Sequence, residues 1–237
     1  MINLLISVKN AQEAKLAMAA GADMIDMKDP AVGALGNLDD EISLEIMRAV
    51  NGQAVVSATI GEQHDNAAHV LALIKAKADL GVDIVKLPIT PLFNDVVFIQ
   101  QLKNTIAQHQ LKLVAVLFAD EKIELKWVTK LAEIGFYGVM LDTERKKNHL
   151  LLCLDEITIR QFVNFCEAHR LQSGLAGALR VEYVGRLVSY LPSYIGFRSG
   201  VCENNVRQNN LLPNAVKEIK DQLQKHNNVH FMLKSGT

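Results

Sequence analysis

The feature that most constrains this chain is an alternation. Short apolar or β-branched runs, each followed by a longer amphipathic stretch, recur eight times along 237 residues. The runs are Leu4–Val8, Met24–Lys28, Ala54–Ile60, Ile84–Leu87, Lys112–Phe118, Gly138–Asp142, Ser173–Ala178 and Tyr194–Arg198. Their length and composition predict strands. The stretches between them carry apolar residues at helical spacing: Ala11–Ala20, Glu41–Val50, Ala67–Leu80, Val96–Gln108, Glu124–Ile134, Ile157–His169, Val181–Val188 and Pro213–Gln224. Several run into glycine (Gly21, Gly81, Gly135), a common way for helices to stop.

Eight strand-then-helix units in a chain of this size predict a single (β/α)8 TIM barrel, its strands parallel and its helices outside. A doubly wound sheet is the alternative, but it wants a glycine fingerprint after its first strand, and Val8-Lys9-Asn10-Ala11-Gln12 offers none. The lead-ins Gly21-Ala22-Asp23-Met24-Ile25, Gly81-Val82-Asp83-Ile84-Val85 and Gly135-Phe136-Tyr137-Gly138-Val139 give the units a family likeness without a true repeat. No Pro/Gly/Ser-rich linker divides the chain, so residues 1–237 read as one domain, with 227–237 a C-terminal tail. Phe231-Met232-Leu233 in that tail reads either as frayed chain or as an interface element of a homo-oligomer.

Composition removes several classes of function. A 49% hydrophobic content with 22% charged residues is that of a folded globule, and no apolar run approaches the roughly 18 to 20 residues of a membrane span. A net charge of −1 argues against nucleic acid or an anionic membrane as partner, while leaving room for a local cationic pocket. The first strand begins almost at Met1, with no basic segment or cleavage site ahead of it, which reads as cytoplasmic. Cys153, Cys166 and Cys202 are odd in number and widely spaced, so they read as structural thiols. The seven histidines form no HxH or HExxH spacing, and neither a metal nor a cofactor is expected.

Within this apolar framework a few charges stand out. On the strand Met24–Lys28, Met24, Asp26 and Lys28 share one face, so an acid and an amine lie side by side. Barrel sites sit at the C-terminal ends of the strands, and side chains from alternate strands share layers. The second strand brings Asp26 and Lys28, the fourth Lys86, the sixth Asp142 and the eighth Arg198, all near those ends. Taken singly, each could be a solvated rim charge or half of a structural ion pair. Taken together, two acids, two lysines and an arginine at one mouth make a candidate active site, because Lys86 and Asp142 interrupt otherwise apolar strands.

Lysines sharing a partly desolvated pocket favour a neutral amine, which can attack a carbonyl and form a Schiff base. Asp26 and Asp142 would then steady charge and move protons, as aldolase-type chemistry requires. The seventh and eighth strands close on Leu175-Ala176-Gly177-Ala178 and Arg198-Ser199-Gly200-Val201, where barrels commonly bind phosphate. Gly177, Arg198, Ser199 and Gly200 are accordingly candidates for holding a small phosphorylated substrate. Ser57, Thr59 and Gly61 share a face and could line the same mouth. Lys146 and Lys147 sit in a polar run that reads as a solvated loop or a lid. Trp127 reads as packing.

These segments also carry a resemblance. Gly21–Pro30 with Gly33 and Leu35-Gly36, Val56–Gly61, Asp83–Lys86, Met140–Thr143, Leu175–Gly177 and Arg198–Cys202 are similar, in order along nearly the whole chain, to the (5-formylfuran-3-yl)methyl phosphate synthases of methanofuran biosynthesis. The resemblance implies a (β/α)8 barrel that condenses two glyceraldehyde 3-phosphate molecules into a phosphorylated furan aldehyde, with loss of phosphate and water. It also implies that Lys28 is the Schiff-base lysine and Lys86 a proton donor or acceptor. Asp26 and Asp142 match other pocket residues, and Lys146 matches a further family lysine. One-carbon metabolism is the implied setting. The chain departs from the family after Cys202, where it reads Glu203-Asn204-Asn205-Val206-Arg207-Gln208-Asn209-Asn210 instead of a run richer in glycine and basic residues. A class I aldolase or sugar-phosphate isomerase, and a non-catalytic barrel that binds a phosphometabolite, are the competing readings of the same pocket.

Overall fold

The computed structural model describes residues 1–62, 64–145 and 148–235, with side chains described through residue 228. The strands β1 (Asn3–Val8), β2 (Met24–Met27), β3 (Val55–Thr59), β4 (Ile84–Pro88), β5 (Leu113–Phe118), β6 (Gly138–Asp142), β7 (Gln172–Leu175) and β8 (Tyr194–Phe197) pair in chain order. All pairings are parallel, and β8 returns to β1 to close a barrel. Helices α1 (Ala11–Ala19), α2 (Asp40–Val50), α3 (Ala67–Asp79), α4 (Val96–His109), α5 (Lys126–Ile134), α6 (Leu150–Cys153), α7 (Glu156–Ala168), α8 (Val184–Val188) and α9 (Pro213–Ser235) fill the connections. Among the described residues, no helix is long and apolar enough to cross a membrane.

The strand alternation sorts side chains into two layers. Ile25 and Met27 of β2 point outward into the shell between sheet and helices, with Ile6, Val8, Val85, Leu87, Val139 and Leu141 from neighbouring strands. Met24 points into the barrel, where it packs with Leu5, Ile84, Val114, Val116, Met140 and Tyr194. The apolar lower interior lets the upper interior carry polar groups without loss of the core.

Helix starts follow local chemistry. Asn10, Asn66, Asp95 and Asp155 each accept a hydrogen bond from an amide in the first turn of α1, α3, α4 and α7. Gly135 caps α5 in the left-handed region, at φ +102°, which glycine adopts without strain. The likeness of the Gly-x-Asp lead-ins has a structural cause. Asp23 Oδ2 accepts from Leu4 N of β1 and Asp83 Oδ2 from Val56 N of β3, so each acid satisfies an amide on the preceding strand.

Two boundaries differ from expectation. The seventh strand ends at Leu175 because Gly177 and Ala178 turn into positive φ. At the C-terminus, α9 continues to Ser235, past Gln224 where the helical pattern in the sequence closes. There Asn227 Oδ1 accepts from Ile2 N and its Nδ2 donates to Ile2 O, so the asparagine latches the helix to the start of β1. Trp127 packs edge-on against Phe93, at a centroid distance of 6.1 Å. Cys166 is buried, and burial pushes its thiol up to about 12.

Candidate active site

The polar groups inside the barrel meet at the C-terminal ends of the strands. Asp26 stands on β2 with Ser7 of β1 and Ser57 of β3 as its register neighbours on either side. Ser7 Oγ donates to Asp26 Oδ2 at 2.8 Å and Ser57 Oγ to Oδ1 at 2.7 Å. Lys86, reaching inward from β4, places Nζ 2.6 Å from the same Oδ1. Asp26 and Lys86 are 0% and 1% exposed, so this is a fully buried ion pair in which both carboxylate oxygens are hydrogen-bonded.

Burial alone would raise the Asp26 carboxyl, but the charges of Lys86 and Lys28 and the hydrogen bonds from Lys86 and Ser57 outweigh it and hold it below 3.8. Burial likewise pushes the Lys86 amine below its ordinary 10.5, and the Lys28 charge adds to that against the opposing pull of Asp26 and Asp142.

Lys28 lies just past the end of β2 and points into an open cavity of about 300 Å³. Its Nζ is 3.8 Å from Asp142 Oδ2, close enough for charge attraction but beyond hydrogen-bond reach. Asp142, the last residue of β6, accepts at Oδ1 from Thr143 N and lines the same cavity. The four charges expected from β2, β4 and β6 therefore come together in two tiers. Lys28 and Asp142 face the cavity, and Asp26 with Lys86 lies beneath, outside its lining.

The cavity's other wall comes from the β7 and β8 loops. Gly177 and Ser199 line it. Gly177 sits at φ +109° and so close to Thr143 that an added Cβ would meet its Cγ2 at 2.9 Å. Gly200, expected to touch the ligand, lies outside the lining; its Cα packs on the β7 loop, where a Cβ would sit 2.1 Å from Leu179 O. Its role is close packing of one loop on the other. Lys146 lies outside the described residues.

Arg198 follows directly on the end of β8. It borders the cavity, but its guanidinium is committed to the protein, donating to both Glu13 oxygens, at 2.5 and 3.2 Å. Its remaining donors reach Ser7 O, Arg207 O and Asn209 O. An anion would have to compete with the buried Glu13 carboxylate, so Arg198 braces the loop after β8. Among the described residues, the cavity lining also carries the cations Arg180 and Arg207. Sequence reasoning missed them because neither sits in a strand pattern. Ser57 turns to Asp26, and Thr59 Oγ1 donates to Gly36 O at 2.8 Å, so neither lines the cavity. Ser7 and Glu13 were also missed, although a lone serine in an apolar strand and a lone acid in an Ala-rich helix were their visible signals.

The site can be set beside known proteins. A protein of Methylorubrum extorquens with the provisional name (5-formylfuran-3-yl)methyl phosphate synthase is 37% identical over 206 residues, covering 86% of this chain and 84% of its own. The (5-formylfuran-3-yl)methyl phosphate synthase of Methanosarcina acetivorans is 29% identical over 218 residues, covering 87% and 93%. Among solved structures, 3-hexulose-6-phosphate synthase from Salmonella typhimurium superposes with a TM-score of 0.65 over 95% of this chain and all (100%) of its own, at 16% identity, which speaks to the fold alone. The family model described as 4-HFC-P synthase matches residues 4–220. The chain therefore belongs to the 4-HFC-P synthase family.

Proposed function

We propose that this protein condenses two molecules of glyceraldehyde 3-phosphate into (5-formylfuran-3-yl)methyl phosphate, with loss of phosphate and water, through a Schiff base on Lys28, as a step of methanofuran-type cofactor biosynthesis. The observation that carries the reading is the two-tier arrangement. One lysine faces the cavity beside a carboxylate, and a second lies beneath it in a buried ion pair. An amine held 3.8 Å from Asp142 can lose a proton to reach the nucleophilic state and regain charge as an iminium beside the same carboxylate. Asp26 and Lys86 supply the proton traffic for phosphate loss, carbon–carbon joining and dehydration. Gly177, Ser199, Arg180 and Arg207 border the end of the cavity where the substrate phosphates would lie, with Lys146 a further cation by family resemblance.

The test is borohydride reduction in the presence of glyceraldehyde 3-phosphate, peptide mapping of the adduct, and product spectra. An adduct on Lys28 that Lys28→Ala abolishes, with a new furan absorbance and released phosphate, is the expected result. An adduct without furan absorbance would make the protein a class I aldolase, and an adduct on another residue would remove Lys28 from its role.

A further inference from the structure

The two-tier site raises a connection problem. Asp26 and Lys86 are buried and lie outside the cavity lining, yet the proposed chemistry needs them to exchange protons with a substrate held at Lys28. Among the described residues, one of the side chains hydrogen-bonded to Asp26 also borders the cavity. That side chain is Ser7.

We propose that Ser7 is a catalytic residue, the hydroxyl that carries protons between the Lys28-bound substrate and Asp26. The inference rests on the imine reading given above and adds a residue to it.

The two oxygens of Asp26 are not equivalent. Oδ1 is taken by Ser57 and Lys86, which lie away from the cavity. Among the described side chains, Oδ2 accepts from Ser7, at 2.8 Å, and Ser7 stands in register beside Asp26 on β1. The hydroxyl hydrogen thus already points at the base, and the oxygen lone pairs are left for a proton arriving from the cavity side.

An imine at Lys28 withdraws electrons and acidifies the C–H bond on the adjacent carbon. When that bond breaks, its electron pair stays with the carbon as an enamine, and the proton forms a new O–H bond on Ser7 Oγ. In the same step the original Ser7 proton passes to Asp26 Oδ2. Asp26 becomes a neutral acid beside the Lys86 ammonium, and Ser7 is again a hydroxyl. The reverse passage delivers the proton to a departing oxygen or a product carbon, so nothing is consumed.

Ser57 provides the internal comparison. It donates to Asp26 from the opposite neighbouring strand, at 2.7 Å and in register, but does not reach the cavity. Ser7→Ala and Ser57→Ala each delete one hydrogen bond to the same carboxylate. Only Ser7→Ala also cuts the path.

The experiment measures three quantities for wild type, Ser7→Ala, Ser57→Ala and Ser7→Thr: borohydride-trapped adduct with glyceraldehyde 3-phosphate, exchange of the substrate's C2 proton in D2O followed by NMR, and turnover. All four proteins are expected to trap the adduct on Lys28. Ser7→Ala is expected to lose exchange and turnover by roughly 10²-fold beyond Ser57→Ala, the size of one general acid–base step. Ser7→Thr, which keeps a hydroxyl, is expected to recover most of that difference. Equal slowing of the two alanine variants, whether because Asp142 takes the proton directly or because the barrel loosens, overturns the proposal. No adduct in the wild-type protein overturns the imine reading instead, and the relay falls with it.

Discussion

Lys86 Nζ lies 2.6 Å from Asp26 Oδ1 at the centre of the barrel, and neither residue reaches the cavity into which Lys28 points. On the proposed imine mechanism, this arrangement would separate two tasks that a single lysine performs badly. A nucleophilic amine must meet solvent-borne substrate, whereas a proton reservoir works best where water cannot dilute it. Holding two lysines in one barrel also needs negative charge on both levels, and Asp26 below and Asp142 above provide it.

Lys86→Met is expected to destabilise the fold by about 3–5 kcal/mol, because it leaves the Asp26 carboxylate buried without its partner. Urea unfolding would measure the loss. The double variant Asp26→Asn/Lys86→Met removes both charges and is expected to be more stable than Lys86→Met alone, which distinguishes an uncompensated charge from lost packing.

The pH dependence of stability follows from the same pair. Asp26 titrates below 3.8 in the folded protein, so the unfolded chain binds that proton more readily. Its contribution is complete above the unfolded value and is lost as pH falls through the folded one. The unfolding free-energy gap between wild type and Asp26→Asn should therefore hold steady near neutrality and shrink as acid passes below 3.8. Lys86 acts at the other end of the scale. Burial holds its ammonium below 10.5, so the unfolded chain again binds the proton more readily, and this group's contribution rises as pH climbs from the folded value towards 10.5.

Gly200→Ala tests the packing of the loops that follow β7 and β8. An added Cβ would stand 2.1 Å from Leu179 O, a backbone atom that cannot swing aside. Thermal unfolding is expected to show a loss of roughly 1–3 kcal/mol, as for other overpacked sites, together with a raised KM because Ser199 moves with the turn.

The barrel was legible because its signal is local. Apolar runs bounded by polar stretches placed every strand to within a few residues, and Gly138–Asp142 coincided at both ends. The layer rule for alternate strands also brought Asp26, Lys86 and Asp142 together before any coordinates. The ion pair of Arg198 is not legible in the sequence, because its partner Glu13 sits on α1, 185 residues away, and nothing near Arg198 announces it. Ser7 needed the β1–β2 register, which fixes it beside Asp26 but cannot be read from one strand's composition. Past residue 224, Asn227 holds the helix to Ile2 by a tertiary latch that the helical spacing does not announce.

Arg198 and Arg207 should separate cleanly when each is replaced. Arg198 is nearly buried against Glu13, with side chains 8% and 6% exposed, so Arg198→Met takes from a buried carboxylate its nearest cation, leaving it Lys9 N and the Lys9 ammonium 3.7 Å away, and is expected to cost about 3 kcal/mol of stability. The same guanidinium ties down Arg207 O and Asn209 O, and its loss should also free the loop after β8. Arg207 lines the cavity, and its guanidinium donates to Gly33 O at 3.2 Å. Arg207→Gln is therefore expected to change unfolding free energy by only about 0.5 kcal/mol. Its effect should fall on substrate binding, raising KM for the phosphorylated triose by roughly 10- to 100-fold if a charge-assisted hydrogen bond of about 1.5–3 kcal/mol is lost. Steady-state kinetics and denaturation on the two variants would decide the assignment. A large KM effect from Arg198→Met in a protein of undiminished stability would return the phosphate contact to Arg198.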